Sequence, residues 1–270
     1  MAGSLLLVGC GKMGGALLRG WLARDVAAQA VTVVEPDPGM AQAATASGVA
    51  VVVEPAALPA ELAPATVIFA VKPQAMDEVA PAYARFVAAG SVFLSIAAGK
   101  NIAYFERCLG AEAAVVRAMP NTPAAIVLLT TVLCAIRNVS EAQRAACGEL
   151  LAAVGEVNWI EDEALMDAVT ALSGSGPAYV FLLIECLAEA GVEAGLDAEL
   201  ALGLARATVR GSGELAHLSD QGAAQLRRNV TSPGGTTEAA LEVLMAEDGL
   251  KPLISRAIAA ATRRSRELAG

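Results

Sequence analysis

Three glycines lie close together at residues 9, 11 and 14, directly after the apolar run Ser4–Val8 and before a helical run at 16–23. In this setting the first glycine of a G-x-G-x-x-G pattern permits a tight turn. The second lets a pyrophosphate approach the backbone, and the third lets the helix pack on the strand. Free N–H groups at the helix start favour phosphate. We expect a dinucleotide to contact Gly9, Cys10, Gly11, Lys12, Met13 and Gly14; the alternative is a plain glycine turn.

An acidic residue, Glu35, ends the next apolar run, Val31–Glu35, 21 residues after Gly14. A carboxylate at this place accepts hydrogen bonds from the ribose hydroxyls and repels a 2′-phosphate. Residues 36–39 contain no Arg or Lys that would attract that phosphate. The pattern therefore favours NAD(H) over NADP(H), with a solvated strand end as the alternative.

Small and polar residues follow the later apolar runs. The carboxyl ends of parallel strands line the ligand crevice of a doubly wound sheet. Lys72 is placed to contact ribose or phosphate there, unless it is a plain surface lysine. Small residues at 97–99 leave room for a flat nicotinamide. The further cofactor contacts that we expect are Ala70, Val71, Lys72, Pro73, Ala97, Ala98 and Gly99.

A polar segment between two prolines, Met119-Pro120-Asn121-Thr122-Pro123, follows the sixth apolar run. Proline fixes its own backbone angle, so the segment is suited to be a rigid wall of the site. We expect Asn121 to contact substrate.

The segment Thr231-Ser232-Pro233-Gly234-Gly235-Thr236-Thr237 separates two helical runs. Paired glycines let successive N–H groups point inward, and the following helix start adds its own donors. Hydroxyls surround this nest, which suits a small anion such as a substrate carboxylate. The alternative is a helix start capped by Ser232 or Thr236. A second small-residue segment, Leu172–Tyr179, admits either a ligand or another helix.

The only histidine, His217, lies near a predicted helix end, where a surface or capping role is expected. No lysine occurs between Lys100 and Lys251. The chain therefore offers no strong acid or base for ketone reduction. Hydride transfer with mild polar groups suits an imine, because an iminium is already electrophilic and leaves no oxyanion to protonate.

The elements that must position these residues change in type along the chain. Short apolar runs alternate with Ala-rich stretches before residue 160, as in a buried parallel sheet with crossover helices. Only helical runs follow, at 162–194, 198–218, 222–229, 236–246 and 249–268. We therefore expect an α/β fold: an N-terminal Rossmann-like doubly wound domain over 1–160 and an all-helical domain over 161–270. The predicted strands are Ser4–Val8, Val31–Glu35, Val49–Val53, Thr66–Val71, Ser91–Ile96, Ala114–Met119, Val132–Ile136 and Glu156–Ile160.

Composition excludes several classes of protein. The 270 residues carry a net charge of −9, which argues against nucleic-acid binding. Mean hydropathy is high, at +0.55. Even so, the longest uncharged apolar run, Thr122–Ile136, falls short of the roughly 20 residues that span a membrane. Five scattered cysteines without a CxxC pair indicate a reducing compartment and no zinc site. We expect a cytoplasmic protein without a membrane segment.

Six motifs together resemble pyrroline-5-carboxylate reductase. They are GCGKMGGALLRG, AVKPQ, SIAAGK, MPNTP, LSGSGPAY and NVTSPGGTTEAALEVLM, in that order from residue 9 to residue 245. The last resembles the signature of the family, whereas G-x-G-x-x-G alone is not specific. The resemblance implies that NADPH or NADH reduces the C=N bond of 1-pyrroline-5-carboxylate to L-proline, the last step of proline biosynthesis. It also implies a homodimer with interlocked helical domains, often assembled into a decamer.

The resemblance also implies roles for individual residues. The carboxylate-binding loop falls on Ser232, Gly234, Gly235, Thr236 and Thr237, and the catalytic hydroxyl near the ring nitrogen falls on Thr237. Asp220 is placed near substrate and Asn229 near cofactor. Many family members carry a small polar residue where this chain has Glu35. The alternatives are a β-hydroxyacid-dehydrogenase-like enzyme, disfavoured because no lysine lies a few residues after Gly176, and a non-enzymatic dinucleotide-binding sensor.

Overall fold

The computed structural model describes residues 3–121 and 129–269, which form two compact units. The first unit, here the sheet unit, comprises residues 1–174 together with 262–270, and the second, the helical unit, comprises residues 175–261. A division into compact units does not show which segment of the chain folds independently as a domain. The boundary between residues 160 and 161 therefore stays a prediction.

Eight described strands form one sheet in the order β3-β2-β1-β4-β5-β6-β7-β8. Each predicted strand is confirmed to within a few residues. Pairing is parallel throughout except between β6 and β7, which are antiparallel. The strands are β1 Leu5–Val8, β2 Val31–Val34, β3 Ala50–Val52, β4 Thr66–Phe69, β5 Val92–Ser95, β6 Ala114–Pro120, β7 Leu129–Ala135 and β8 Gly155–Ile160.

Strand register brings the carboxyl ends of the central strands to one edge. Val8, the last residue of β1, pairs with Val34 of β2 and with Phe69 of β4, and Phe69 pairs with Ser95 of β5. Neighbouring strands lie about 4.8 Å apart. The loops that follow β1, β2, β4 and β5 are therefore neighbours, as expected of a doubly wound sheet.

Apolar cores lie on both faces of the sheet, which explains why the central strands are continuous apolar runs. On one face the buried Trp21 donates its indole N–H to the carbonyl oxygen of Leu150 at 2.8 Å. On the other face Phe69 packs edge-on against Tyr83 and stacks against Phe105. The helices of the sheet unit are α1 Lys12–Leu22, α2 Pro38–Ala46, α3 Met76–Val79, α4 Ile102–Leu109, α5 Glu141–Ala152 and α6 Met166–Val169.

Two details differ from the prediction. The expected crossover helices of 12 to 15 residues are mostly shorter, and only a 3-10 turn, Pro55–Ala57, lies between β3 and β4. The helix expected over 162–194 changes type along its length: a 3-10 turn at Glu163–Leu165, then α6, then a π turn at Thr170–Gly174, then α7 at Gly176–Glu193.

The helical unit contains α7, α8 Ala198–Leu218, α9 Ala223–Asn229 and α10 Thr236–Leu244, and α11 Leu250–Ala269 begins in it. The predicted break between α7 and α8 is confirmed. Gly195 has φ +101°, and Asp197 caps α8 by accepting the N–H of Glu199 at 2.9 Å. Helices α7 and α8 approach closely, because a Cβ added to Gly191 would lie 3.2 Å from Cβ of Ala201.

Helix α7 is apolar but exposed in the single chain, with no buried residue. Phe181 is 60% exposed and Leu182 is 58% exposed. The helical stretch Glu163–Glu193 is long and apolar enough to cross a membrane by length and composition. Only 6% of its most apolar 18-residue segment is buried. Such a surface needs a cover that the single chain does not supply.

Candidate functional site

The glycine loop has the geometry that its sequence predicts. Gly9 has φ +89°, and a Cβ on Gly14 would lie 2.2 Å from the carbonyl oxygen of Gly9. The start of α1 therefore packs directly on the turn after β1. A Cβ on Gly11 would meet nothing nearer than Sδ of Met40, at 4.0 Å. The backbone at Gly11 is thus open to a ligand, which fits a pyrophosphate at the N-terminus of α1.

Glu35 is buried, with 5% of its surface exposed, so the alternative of a solvated strand end is wrong. Its Oε2 accepts the N–H of Cys10 at 2.6 Å, and its Oε1 accepts the N–H of Asp37 at 2.9 Å. Burial raises the pKa of the Cys10 thiol, and the Glu35 charge raises it further. The carboxylate predicted for the ribose site therefore lies directly against the glycine loop.

A cleft of about 900 Å³ lies between α1 and α2, beside the glycine loop. Residues 10–13 form one wall, and Met40 of α2 and Ser47, which caps the end of α2, also line the cleft. Two cations, Lys12 and Arg19, also line it, and both side chains are exposed. Sequence reasoning missed Arg19 because it examined charges only in the loop after β2. The helical spacing of Arg19 from Lys12, about two turns along α1, was the available signal.

The other predicted cofactor residues lie at the ends of β4 and β5. Lys72 is exposed and begins the 3-10 turn Pro73–Ala75 without a side-chain cap. Gly99 has φ +75° in the loop after β5, where only glycine fits without strain. The flanking loop residues Ala97 and Ala98 are buried and half-buried. Ala70, Val71 and Pro73, at the end of β4, are half-buried.

Asn121 connects two of the predicted motifs. Its Oδ1 accepts the N–H of Thr130 at 3.0 Å, which joins the end of β6 to the start of β7. Its Nδ2 lies 3.5 Å from Oγ of Ser173 in the π turn. A Cβ on Gly174 would lie 2.4 Å from Cε of Met119, so the small residues of this segment permit close packing. Thr122 and Pro123, the rest of the predicted wall, lie outside the described residues.

The loop between α9 and α10 presents donors at a helix start. Gly235 is the N-cap of α10, and no side chain caps this end. The alternative that Ser232 or Thr236 caps the helix is therefore wrong. No described residue is hydrogen-bonded to the hydroxyl of Ser232, Thr236 or Thr237. Thr237 is half-buried in the first turn of α10, whereas Ser232 and Thr236 are exposed.

A carboxylate already lies at this loop. Oε2 of Glu238 accepts the N–H of Gly234 at 2.7 Å, and Gly234 has φ +68°. The loop therefore binds an acetate-like group of its own chain through a backbone N–H. That contact shows that the N–H of Gly234 can reach a carboxylate oxygen.

Asn229 ends α9 within a polar network of its own. Its Nδ2 donates to Oε1 of Gln221 at 2.7 Å, and its Oδ1 accepts from Nε2 of Gln225 at 2.7 Å. Asp220, the neighbour of Gln221, is exposed. The network holds Asn229 beside the segment that carries Asp220.

His217 lies exposed in the last turn of α8, as expected. In the described part of the chain, no three His, Cys, Asp or Glu side chains are grouped so as to hold a metal ion.

Two family models match the chain. Residues 163–268 match the family described as pyrroline-5-carboxylate reductase dimerisation. Residues 4–99 match the family described as NADP oxidoreductase coenzyme F420-dependent. The first match covers the whole helical unit, and the second covers the glycine loop and the strand ends through Gly99.

Full-length relatives agree with these matches. A pyrroline-5-carboxylate reductase of Pseudomonas aeruginosa is 42% identical over 266 residues, which cover 98% of this chain and 96% of that protein. The structure of a pyrroline-5-carboxylate reductase from Coxiella burnetii superposes with a TM-score of 0.93 at 32% identity, covering 100% of both chains. The Plasmodium falciparum enzyme with NADP bound has a TM-score of 0.83 at 30% identity, covering 99% of this chain and 98% of that one.

Proposed function

This chain belongs to the pyrroline-5-carboxylate reductase family and reduces 1-pyrroline-5-carboxylate to L-proline with NAD(P)H, and on that premise we propose which of its residues do so. The observation that carries the assignment is the start of α10. There, an uncapped helix, a backbone N–H bonded to a carboxylate and three hydroxyls without a partner among the described residues share one short loop.

The substrate carboxylate binds the loop formed by Ser232, Gly234, Gly235, Thr236 and Thr237. The dipole and free N–H groups of α10 stabilise its charge. A planar five-membered ring held by its carboxylate loses rotational freedom, so much of the rate enhancement comes from positioning. Asn121 and Asp220 are the further substrate contacts.

Thr237 is the catalytic residue. Thr237 is half-buried, and its hydroxyl lies in the same turn as the carboxylate-binding N–H groups and makes no hydrogen bond to the described chain. It hydrogen-bonds the ring nitrogen as that nitrogen gains electrons. The C=N bond becomes a single bond when its carbon takes up a hydride, and the nitrogen's proton arrives with the iminium or from solvent.

The cofactor half of the reaction uses the edge of the sheet unit. The open backbone at Gly11 and the N-terminus of α1 fit the pyrophosphate, and the buried Glu35 fits the adenosine ribose. The loops with Lys72, Ala98 and Gly99 fit the nicotinamide end, and Asn229 is a further contact. When bound, the reduced nicotinamide supplies the hydride.

The protein is a homo-oligomer through its helical dimerisation region. We further propose a homodimer, with a decamer as its higher assembly, in which α7 covers α7 of another copy. An apolar interface of this kind buries more than about 1,600 Å² in total. Phe181→Glu places a charge on that exposed face and is expected to give a monomer in light scattering, whereas a dimer would contradict the assignment.

The cytoplasm is the proposed location. All five cysteines are free, and net charge is −9, which fits a reducing compartment and a partner set without nucleic acid. No membrane is needed if a second copy covers α7.

The direct test is oxidation of NADH and of NADPH by the purified protein with 1-pyrroline-5-carboxylate, with proline measured as product. One proline for each cofactor oxidised is expected. Oxidation with a β-keto acid but not with 1-pyrroline-5-carboxylate would indicate the β-hydroxyacid-dehydrogenase-like alternative, and cofactor binding without oxidation by either compound would indicate a sensor.

A further inference from the structure

The end of the last helix belongs to the sheet unit, and one of its serines is buried there. Ser265 is 5% exposed, and its Oγ donates to Oδ1 of Asp167 at 2.7 Å. Nε of Arg266 lies 3.8 Å from Oδ2 of the same carboxylate. Hydroxyl-to-carboxylate bonds of this kind are stronger than neutral ones. Residues Ser265–Leu268 are called the terminal turn below.

The terminal turn lies against the loop that follows β5. A Cβ on Gly99 would lie 3.3 Å from the carbonyl oxygen of Leu268 and 3.4 Å from its Cβ. Gly99 is itself buried with φ +75°. The backbone of this loop is therefore covered on one side by the backbone of the terminal turn.

The segment that carries Asp167 also holds the far end of the same loop. Oε1 of Glu163 accepts the N–H of Ile102, the first residue of α4, at 2.9 Å. The same oxygen accepts from Nη1 of Arg117 at 2.9 Å, and Arg117 is 4% exposed. Glu163 and Asp167 are four residues apart. One short segment therefore fixes both the end of the loop and the turn that covers its middle.

We propose that Ser265 is a positioning residue for the reaction: through Asp167 it holds the terminal turn against Gly99 and so preorganises the loop Ala97–Gly99 for the nicotinamide end of the cofactor. This inference rests on the proposed assignment of that loop to cofactor binding. A loop that is already ordered costs the ligand less conformational entropy on binding. Loss of the Ser265 hydroxyl transfers that cost to the cofactor and leaves the substrate loop of the helical unit unchanged.

The test measures the dissociation constant of NADH by fluorescence titration of the full-length enzyme, together with both KM values. Ser265→Ala is expected to weaken NADH binding about three- to thirtyfold, the range seen for residues that act through others. KM for 1-pyrroline-5-carboxylate should stay within about twofold. Asp167→Ala should weaken NADH binding by a similar factor. The double variant should bind NADH no more weakly than the single variant with the larger loss of affinity, because both substitutions remove the same bond.

Arg264→Ala is the matched control. Its ion pair with Glu267 lies on the same stretch of helix but is exposed, at 66% and 61%. Cofactor binding should not change. A chain ending at Glu267 keeps the Ser265–Asp167 bond, removes Leu268 from Gly99 and should weaken NADH binding as Ser265→Ala does.

Gly99→Ala separates the inference from the assignment on which it rests. If Gly99→Ala weakens NADH binding and neither Ser265→Ala nor the shortened chain does, the inference is overturned and the loop assignment stands. If none of the three weakens it, both are overturned. A lower melting temperature with unchanged NADH affinity would make Ser265 structural only and would also overturn the inference.

Discussion

The carboxylate of Glu35 accepts the backbone N–H of Cys10 at 2.6 Å, so the end of β2 is fastened to the glycine loop after β1. Its second oxygen accepts the N–H of Asp37 at 2.9 Å. Each oxygen keeps a lone pair for a further donor. One buried side chain therefore both shapes the dinucleotide loop and sets the charge that an adenosine ribose meets.

Cofactor choice follows from that charge. We expect wild-type enzyme to use NADH at least as well as NADPH, because Glu35 repels a 2′-phosphate. Glu35→Ser should raise the NADPH-to-NADH ratio of kcat/KM by about tenfold, or about 1.4 kcal/mol. Glu35→Gln separates the effects, since it keeps an acceptor for Cys10 but removes the charge. A wild-type enzyme with a strong NADPH preference would contradict this role.

Alanine substitutions at two glycines of the loop should affect different properties, cofactor binding in one case and stability in the other. Gly11→Ala adds a Cβ to open space, with Met40 Sδ at 4.0 Å, so the fold should persist while KM for NADH rises more than about tenfold. Gly14→Ala places a Cβ 2.2 Å from the carbonyl oxygen of Gly9 and should destabilise the fold by about 1–3 kcal/mol. Thermal melting and cofactor titration of both variants separate the cases. Equal melting temperatures would contradict the close packing.

Thr237→Val removes a hydroxyl and keeps the shape of the side chain. Its partner nitrogen changes most in the transition state, so kcat should fall about 10- to 100-fold, or about 1.4 to 2.7 kcal/mol. Ser232→Ala should act chiefly on the KM for substrate. Thr236→Val, at the exposed neighbour, is the control for helix stability. Unaltered kcat in Thr237→Val would remove Thr237 from catalysis.

Glu238 competes for the substrate loop, because its carboxylate accepts the N–H of Gly234 at 2.7 Å. Glu238→Ala frees that donor and removes a negative charge from the anion site. We expect the KM for 1-pyrroline-5-carboxylate to fall about two- to fivefold. Glu242→Ala, one turn further along α10, is the control. A raised KM would mean that Glu238 supports the loop rather than competing for it.

Stability should fall at alkaline pH through a buried thiol. Burial raises the pKa of Cys147 from 9.0 to about 12. The contribution of this buried thiol to stability is fully present below about pH 9. It is lost as the pH rises, because the thiol of the unfolded chain loses its proton before that of the folded chain. The free energy of unfolding falls by about 1.4 kcal/mol per pH unit for this group. Urea unfolding from about pH 8 to about pH 11 should show a shallower loss in Cys147→Ala than in wild type or Cys186→Ala. Equal slopes of unfolding free energy against pH in the three proteins would contradict this role of Cys147.

The sequence was sufficient to predict the eight strands and the helices after residue 175, because buried parallel strands and capped helices leave strong local patterns. Asp197 and Gly195 are examples, since a side-chain cap and a positive φ are properties of single residues. The glycine loop was predictable for the same reason. Its three glycines lie at a fixed spacing within six residues, and the approach of Gly14 to the carbonyl oxygen of Gly9 is local in sequence.

Contacts distant in sequence were not predictable. Ser265 and Asp167 lie 98 residues apart, and nothing in either local sequence indicates the other. The bond between Glu163 and Ile102 spans 61 residues. The burial of Glu35 was missed because a polar strand end is usually exposed, and its partners are main-chain groups that carry no sequence signal.

Because residues 262–270 belong with residues 1–174, the chain enters the helical unit once and leaves it again before the sheet unit is complete. During synthesis from the N-terminus, all of residues 175–261 precede the terminal turn on the ribosome. The nascent sheet unit therefore has an uncovered loop at Gly99 until the last helix has emerged. On the proposed role of the terminal turn, the loop at Gly99 becomes fully ordered for the cofactor only after this last helix has been synthesised, later than all residues of the helical unit.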